Sequence, residues 1–438
     1  MVTSANIDVT LTLFARTTFL PLATSFVEKS ALALGLEEGD ALTLTLAAEE
    51  IFAYLCRTGA PERPVLMRCR GGGYFVETEF LFQPQEFDMR AFNLAVTPSL
   101  DTGQGIDETG LLIASRMVDR FHFASHDNGL RVSLTKERAY PAPPDLTTAV
   151  TRPLERFSIA SPEPEELKEL VRLIHSYYKG HVLPGNFDFP GKVADMAAAR
   201  AYQAFVARDD AGHIGGGIIW GFPTQKTVGC SGPYVFGQPQ SSVMARELID
   251  ECIGAVAKTQ AVGIINRFPT EHLPVGYFER LGTLTVETSS GRYTEMPVLY
   301  RHLQEDPGAT VWAHPLLKDF LEREYNRMVF ARDIKSIRDE GEIRSQFSVI
   351  SAEFDKLQAV VTLRPVWWGD DAQETLARDV EILENDGIHA IFFEMDLGRP
   401  WHSRFSPALE KTGFQPRLIL PNCGKGDIVV FQHGTESN

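Results

Sequence analysis

A β-hairpin is predicted by the sequence Ala204-Phe-Val-Ala-Arg-Asp-Asp-Ala-Gly-His-Ile-Gly-Gly-Gly-Ile-Ile-Trp220. Two β-rich apolar runs flank an Asp-rich turn that contains a glycine, a composition typical of hairpin connections. The second run carries three consecutive glycines. This hairpin is the centre from which the surrounding elements are assigned.

The residues on both sides extend the hairpin into a larger α/β segment. Before it, Pro162 to His175 has early acidic and late basic residues that match a helix dipole. After it, Gly276 to Gly282 has the pattern of a short helix stopped by glycine. Between these, the patterns predict a strand at Val228 to Phe236, a helix at Ser241 to Thr259 and a strand at Val262 to Arg267.

This order resembles the GCN5-related N-acetyltransferases, which are acyl-CoA-dependent enzymes. The likeness covers about residues 156 to 300. Phe205 to Gly215 is similar to the central hairpin of the family, Pro233-Tyr-Val-Phe236 to its splayed strand, and Tyr277-Phe-Glu-Arg-Leu-Gly282 to its last helix motif. The resemblance implies acetyl-CoA as cofactor and a small-molecule or protein amine as acyl acceptor.

Acyl-CoA binding requires a strand with free backbone groups for the pantetheine amides and a helix N-terminus facing the pyrophosphate. The glycine-rich phosphate pattern of the family falls on Pro239 to Ala245, where neither glycine is present and the loop has no Arg or Lys. The serines at the helix start can still cap the helix and offer N–H donors. The cofactor-binding residues implied by the resemblance are Val235, Phe236, Gln238, Ser241, Ser242 and Val243.

Tyr277 is the candidate general acid for the departing thiolate. The family places its tyrosine four residues before the last glycine of the motif, and Phe278 stands there, so Tyr277 is one residue away. On a helix, that offset turns it to another face. A packing role for Tyr277 is the alternative.

The last segment has a similar predicted order of elements: a hairpin, a helix, a strand and a further helix that ends at Gly413. It also resembles an acetyltransferase domain, with Leu409 in the place of the tyrosine. Asp370 and Asp371 occupy the predicted phosphate loop, where two carboxylates repel a pyrophosphate. We interpret this copy as non-catalytic.

The N-terminal segment, residues 5 to 138, resembles the ATP-binding domain of anti-sigma-factor serine kinases within the histidine-kinase-like ATPase superfamily. Leu44 to Tyr54 is similar to its acidic helix and Thr109 to Phe123 to the helix after its ATP lid. Where the family has a metal-binding Asn, four residues after Glu50, this chain has Tyr54, which disfavours ATP.

The resemblance implies only a few residues for nucleotide binding. Asp101-Thr-Gly-Gln-Gly105 can supply an adenine-reading carboxylate, and a solvated turn is the alternative. The nucleotide-site candidates are Glu50, Asp101, Gly103, Gly105 and Gly110.

Charge and composition exclude several classes of function. The 438 residues carry a formal net charge of -16, which repels polyanions and argues against nucleic-acid binding. The five cysteines show no metal-ligand spacing and fit a reducing cytoplasm. We expect neither an export signal nor a membrane span.

The sequence therefore predicts an α/β (α+β) protein with an ATPase-like α/β sandwich followed by two mixed-sheet acetyltransferase-like domains. The predicted boundaries are 1–138 for the first domain, 139–154 for a proline-rich linker, and 155–303 and 304–438 for the two others. Three functions stay open: an acyl-CoA-dependent N-acyltransferase with a degenerate regulatory ATPase domain, a non-catalytic regulatory or sensor protein acting through a protein partner, and an anti-sigma-factor-like serine kinase.

Overall fold

A computed structural model describes residues 8–58, 62–83, 114, 117–126, 129–141, 151–178, 183–239, 241–287, 293–337, 346–355 and 359–434. The chain forms two compact units. The first comprises residues 1–139, 342–353 and 362–386, and the second comprises residues 140–341, 354–361 and 387–438. The predicted domain boundaries stay predictions.

The N-terminal part of the first unit is an antiparallel sheet with helices against it. The elements are β1 (Asp8–Phe14), α1 (Leu20–Ala33), α2 (Glu38–Thr58), β2 (Pro64–Gly71), β3 (Phe75–Phe82), β4 (Arg120–His126) and β5 (Gly129–Glu137), with strand order β1-β2-β3-β5-β4. Ile51, Phe52 and Leu55 of α2 are buried in the core, as the helical spacing predicts, whereas Leu42 and Leu46, predicted for the same face, are exposed. The predicted helix from Gly110 lies largely outside the described residues, and its predicted last residues, Arg120 and Phe121, belong to β4.

The second unit contains a seven-stranded mixed sheet. Its elements are β6 (Ser158–Ala160), α3 (Pro164–Tyr177), α4 (Pro190–Ala198), β7 (Tyr202–Arg208), β8 (Ile214–Gly221), β9 (Thr227–Val235), α5 (Ser241–Val256), β10 (Gly263–Phe268), β11 (Glu279–Glu287) and β12 (Tyr293–His302). The order is β11-β12-β10-β9-β8-β7-β6, and β9 and β10 run parallel. The predicted α+β class with mixed sheets is confirmed.

The three glycines of β8 are needed for packing. A side chain at Gly216 would lie 2.6 Å from the Tyr234 carbonyl oxygen, and one at Gly217 would lie 2.5 Å from Leu170 of α3. The absence of Cβ atoms therefore lets α3 and the end of β9 approach β8 closely. Leu170 and Tyr234 are fully buried as a result.

The predicted helix at Gly276 to Gly282 is wrong. Gly276 has φ +82° and lies in a turn, and β11 begins three residues later at Glu279. Residues of β11 pair antiparallel with β12 from Glu279 opposite Tyr300 to Glu287 opposite Tyr293. Pairing with β12, the next strand along the chain, outweighs the short helical pattern.

The remaining elements follow the predicted order of hairpin, helix, strand and helix from Val349 onward, and the parallel strand pair before it was not predicted. They are β13 (Ala309–Ala313), α6 (Lys318–Met328), β14 (Arg332–Ser336), β15 (Val349–Asp355), β16 (Val360–Trp367), α7 (Ala372–Asn385), β17 (Ala390–Asp396), α8 (Ser406–Lys411), β18 (Phe414–Leu420) and β19 (Ile428–His433). Within the second unit, β13 and β14 pair parallel across α6, and β19 lies between β17 and β18. There, the Gln432 side-chain amide also hydrogen-bonds the Thr285 backbone N–H and C=O, which joins β19 to β11.

Val329, which ends α6, holds a left-handed conformation that suits glycine. Its φ of 57° is rare for a β-branched residue, and its side chain is 85% exposed, so replacing it removes strain and little packing. We expect Val329→Gly to raise the free energy of unfolding by about 1 kcal/mol in denaturant titrations. Val243→Gly, in helical α5, should lower it. Equal losses in both variants would contradict the strain argument.

Candidate functional site

The parallel strands β9 and β10 separate near the middle of the seven-stranded sheet. Their pairing runs from Thr227 opposite Gly263 to Ser231 opposite Phe268, where β10 ends. β9 continues along β8, with Val235 opposite Gly216. The last residues of β9 therefore have β8 on one side and the divergence from β10 on the other. We call Gly232 to Phe236, on this second side, the strand-end site.

The backbone of Val235 faces this divergence. The Phe236 N–H donates to the Gly215 oxygen at 2.9 Å and so points toward β8. Because backbone groups of successive strand residues point to opposite sides, the N–H and C=O of Val235 point away from β8. These are the groups that an extended pantetheine chain needs.

Tyr178 occupies both groups. The Val235 N–H donates to the Tyr178 hydroxyl at 2.9 Å, and that hydroxyl donates to the Val235 oxygen at 3.3 Å. Tyr178 follows α3 directly, is 3% exposed, and packs edge-on against Tyr234. Burial raises the pKa of Tyr178 well above its ordinary value, so the hydroxyl keeps its proton.

Two further side chains satisfy the preceding carbonyls. Asn266 donates from Nδ2 to the Gly232 oxygen at 2.7 Å, and Thr270 donates from its hydroxyl to the Pro233 oxygen. Asn266 is fully buried and also accepts the Phe268 N–H. The backbone oxygens of Gly232, Pro233 and Val235 are therefore all bonded to side chains of the chain itself.

Residues 151–154, which we call the strap, contact the loop between β9 and α5. Thr151 donates from its hydroxyl to the Phe236 oxygen at 2.9 Å and lies 2.6 Å from the Tyr177 hydroxyl. The Gln238 amide donates to the Arg152 oxygen at 3.0 Å and accepts the Leu154 N–H at 2.8 Å. The strap is the end of the predicted linker, and it is packed.

The predicted cofactor residues lie around this region. Val235, Phe236 and Gln238 are buried, with exposed fractions of 2%, 0% and 6%. α5 begins at Ser241 as predicted, and Ser242 and Val243 are exposed on its first turn. Their roles toward acyl-CoA stay predictions.

Tyr277 lies in the turn before β11. Its hydroxyl is 3.3 Å from Asp250 Oδ2, and Arg301 lies over its ring at 5.3 Å. Partial burial and then Asp250 raise the pKa of Tyr277. Asp250 is nine residues along α5 from Ser241, a rise of about 13 Å. Tyr277 thus contacts the third turn of α5 rather than its N-terminus, and its predicted catalytic role stays a prediction.

The nucleotide candidates of the first unit are only partly described. Asp101, Gly103, Gly105 and Gly110 lie outside the described residues. Glu50 is half-buried on α2. Tyr54, which stands where the resemblance places a metal-binding Asn, is 2% exposed within the hydrophobic core. The expectation against ATP stays a prediction.

The roles of Tyr178, Asn266 and Thr270 were not predicted from the sequence. Tyr178 belongs to the sequence cluster of His175, Tyr177, Tyr178 and His181, whose residue types fit either an acid–base set or a packed helix end; His181 lies outside the described residues. In the structure, His175 Nε2 contacts the Phe187 carbonyl oxygen at 2.6 Å, and Tyr177 packs on Phe236 at 5.3 Å between ring centroids. Aromatic residues at a helix end were the only available signal.

Comparisons with known proteins describe parts of the chain. No family model matches the sequence, and no curated protein matches it. Among solved structures, the chain is similar to aminoglycoside 6'-acetyltransferase type Ii, with 14% identity and a TM-score of 0.28; the match covers 34% of this chain and 99% of that chain. It is also similar to a GNAT superfamily phosphinothricin acetyltransferase from Sinorhizobium meliloti in complex with AcCoA, with 17% identity, 34% of this chain and 90% of that chain covered, and a TM-score of 0.26. For the RsbU and RsbW domains of a Mycobacterium tuberculosis protein, the identity is 15%, the coverage is 31% of this chain and 33% of that chain, and the TM-score is 0.22.

None of the helices in the described residues combines the length and apolar composition that crossing a membrane requires. In that same part of the chain, no group of three or more His, Cys, Asp or Glu side chains is arranged to hold a metal ion.

Proposed function

We propose that the protein is a non-catalytic regulatory protein with an acetyltransferase-like fold, acting through contacts with a protein partner. The observation that carries this proposal is the pairing of both Val235 backbone groups with the Tyr178 hydroxyl. The proposed anti-sigma-like role of the N-terminal domain and the protein partner rest on the sequence resemblance alone, and the proposed cytoplasmic location rests on the pattern of the five cysteines.

Binding acyl-CoA in this conformation requires displacing internal hydrogen bonds. A buried backbone group that loses its partner costs about 1–3 kcal/mol, so pantetheine can bind only by replacing Tyr178. The loop from Phe236 to Val243 adds no cation for the pyrophosphate, because its sequence lacks Lys and Arg. Both effects disfavour acetyl-CoA as a bound cofactor.

An acyltransferase is the second candidate function, and one observation favours it. β9 and β10 diverge directly before the start of α5, which is the arrangement that the resemblance assigns to acyl-CoA. The raised pKa of Tyr277 also keeps a proton available for a departing thiolate. This candidate predicts turnover with an amine acceptor.

The experiment that separates the two is thiol release from acetyl-CoA by the full chain in the presence of a mixed amine panel. We expect only background release, because the strand end is closed. Release above background would contradict the proposal. If it occurs and Tyr277→Phe reduces it while Tyr293→Phe, an exposed tyrosine on β12, does not, Tyr277 is the acid. If Tyr277→Phe has no effect, the enzyme uses another acid.

A further inference from the structure

Two adjacent residues at the end of α3 contact the strap and the strand-end site. We call the Tyr178 side chain, whose hydroxyl occupies the Val235 N–H and C=O, the Tyr178 plug. Tyr177 is the last residue of α3, and its hydroxyl contacts the Thr151 hydroxyl at 2.6 Å and accepts the Thr151 N–H at 3.2 Å. Tyr178 follows it and binds Val235. A change that releases the strap therefore removes the partner of Tyr177, directly beside the residue that fills the strand end.

Gln238 is the second anchor of the strap. Its amide accepts the Leu154 N–H and donates to two carbonyl oxygens, those of Arg152 and Phe236, at 3.0 Å each. The side chain is 6% exposed, although it belongs to the loop that leads into α5. The strap thus covers the loop that a phosphate-bearing ligand would have to reach.

The strap is attached mainly through polar contacts. Leu154 is its one strongly buried apolar residue, at 7% exposure, and packs beside Gly215 and Met244. Thr151 to Leu154 belong to no helix or strand. Segments held by a few hydrogen bonds and little apolar area open at lower free energy than the core they cover.

We propose that the strap is an intramolecular inhibitor: Thr151 to Leu154, together with the Tyr178 plug, block a latent site for the phosphopantetheine chain of CoA along the last residues of β9. Displacing the strap exposes the loop to α5 and frees Tyr178 to leave Val235. The inference rests on the proposed function in that it explains why the wild-type chain leaves acyl-CoA unbound. It adds that the site is closed by a displaceable segment.

Calorimetric titration of the full chain with CoA tests this inference. The open variant is Tyr178→Phe/Gln238→Ala, which removes the plug hydroxyl and one anchor of the strap. The matched control is Thr259→Val, which removes a hydroxyl at the opposite end of α5. Because apparent affinity rises with the fraction of open molecules, we expect the open variant to bind CoA at least about tenfold more tightly than the wild type and the control.

The outcomes separate this inference from the proposed function. A folded open variant with the same CoA affinity as the wild type overturns the inference and leaves the proposed function standing. Thiol release by the wild type overturns the proposed function whatever the variants bind. If the open variant fails to fold, Thr151→Val, which removes only the hydroxyl between Tyr177 and Phe236, replaces it. Unchanged CoA affinity in that variant is then the contradicting result.

Discussion

Replacing Arg332 by methionine is expected to lower the free energy of unfolding by about 3–5 kcal/mol, because it leaves buried carboxylates without their cation. The Arg332 side chain is fully buried. It donates from Nε and Nη2 to Asp427 at 2.6 and 3.2 Å, and its Nη1 lies 2.7 Å from Asp306. Burial alone would lower the pKa of Arg332, but the two carboxylates hold it above its ordinary value.

Two aromatic rings pack against the Arg332 guanidinium, and a lysine cannot replace all of its contacts. Phe330 and Tyr325 lie 5.1 and 5.8 Å from the guanidinium carbon. Asp427 also accepts the Asn422 N–H, so the loss of Arg332 disturbs the loop before β19 as well as β14. A smaller ammonium group cannot reproduce the two-pronged contact with Asp427. Arg332→Lys should therefore fall between the wild type and Arg332→Met.

Urea unfolding of the full chain measures this effect. Lys335→Met, an exposed position on the same strand, is the control and should change stability by less than about 0.5 kcal/mol. Similar midpoints for Arg332→Met and Lys335→Met would show that the buried cluster does not stabilise the fold.

His402 makes stability depend on pH. Burial lowers the pKa of His402 to about 3 from its ordinary 6.5, with Asp396 opposing and Arg399 assisting the shift. In the folded chain the neutral ring accepts the Asp396 N–H at Nδ1, at 3.3 Å. Below pH 6.5 the unfolded chain binds a proton that the folded chain does not. This contribution is therefore complete above pH 6.5 and is lost as the pH falls toward 3.

We expect the wild type to lose up to about 1.4 kcal/mol per pH unit between pH 6 and pH 4 relative to His402→Gln, because one proton is taken up on unfolding. Urea titrations at a series of pH values measure the slope. His389→Gln, at an exposed position directly before β17, is the control and should keep the wild-type slope. Parallel curves for the wild type and His402→Gln would mean that His402 is protonated without cost.

Local patterns predicted most of the elements of the second unit. The hairpin became β7 and β8, and the predicted helix from Ser241 became α5, because apolar periodicity and turn residues act within short stretches. The same is true of the third segment, from β15 to β19. The helix predicted at Gly276 failed because residues 279–287 pair with the next strand, β12, and a helical pattern of seven residues carries no information about that pairing.

Local sequence patterns could not predict the contacts that close the strand-end site. Tyr178 and Val235 are 57 residues apart, and Thr151 and Phe236 are 85 apart. No spacing rule connects them, since the contacts arise only when α3 packs on β8 and β9. The free backbone edge was inferred from the resemblance to acetyltransferases, whereas the side chains that fill it come from distant parts of the chain.

Amide hydrogen exchange at Val235 in the wild-type chain tests the closed strand end most directly. The N–H is bonded to Tyr178, so we predict slow exchange, similar to that of Phe236, whose N–H is bonded to Gly215 within the sheet. Tyr178→Phe should speed exchange at Val235 by about tenfold or more and leave Phe236 unchanged. Exchange of Val235 at the rate of an unprotected amide in the wild type, with Phe236 still protected, would show that the strand end is open and would contradict the account.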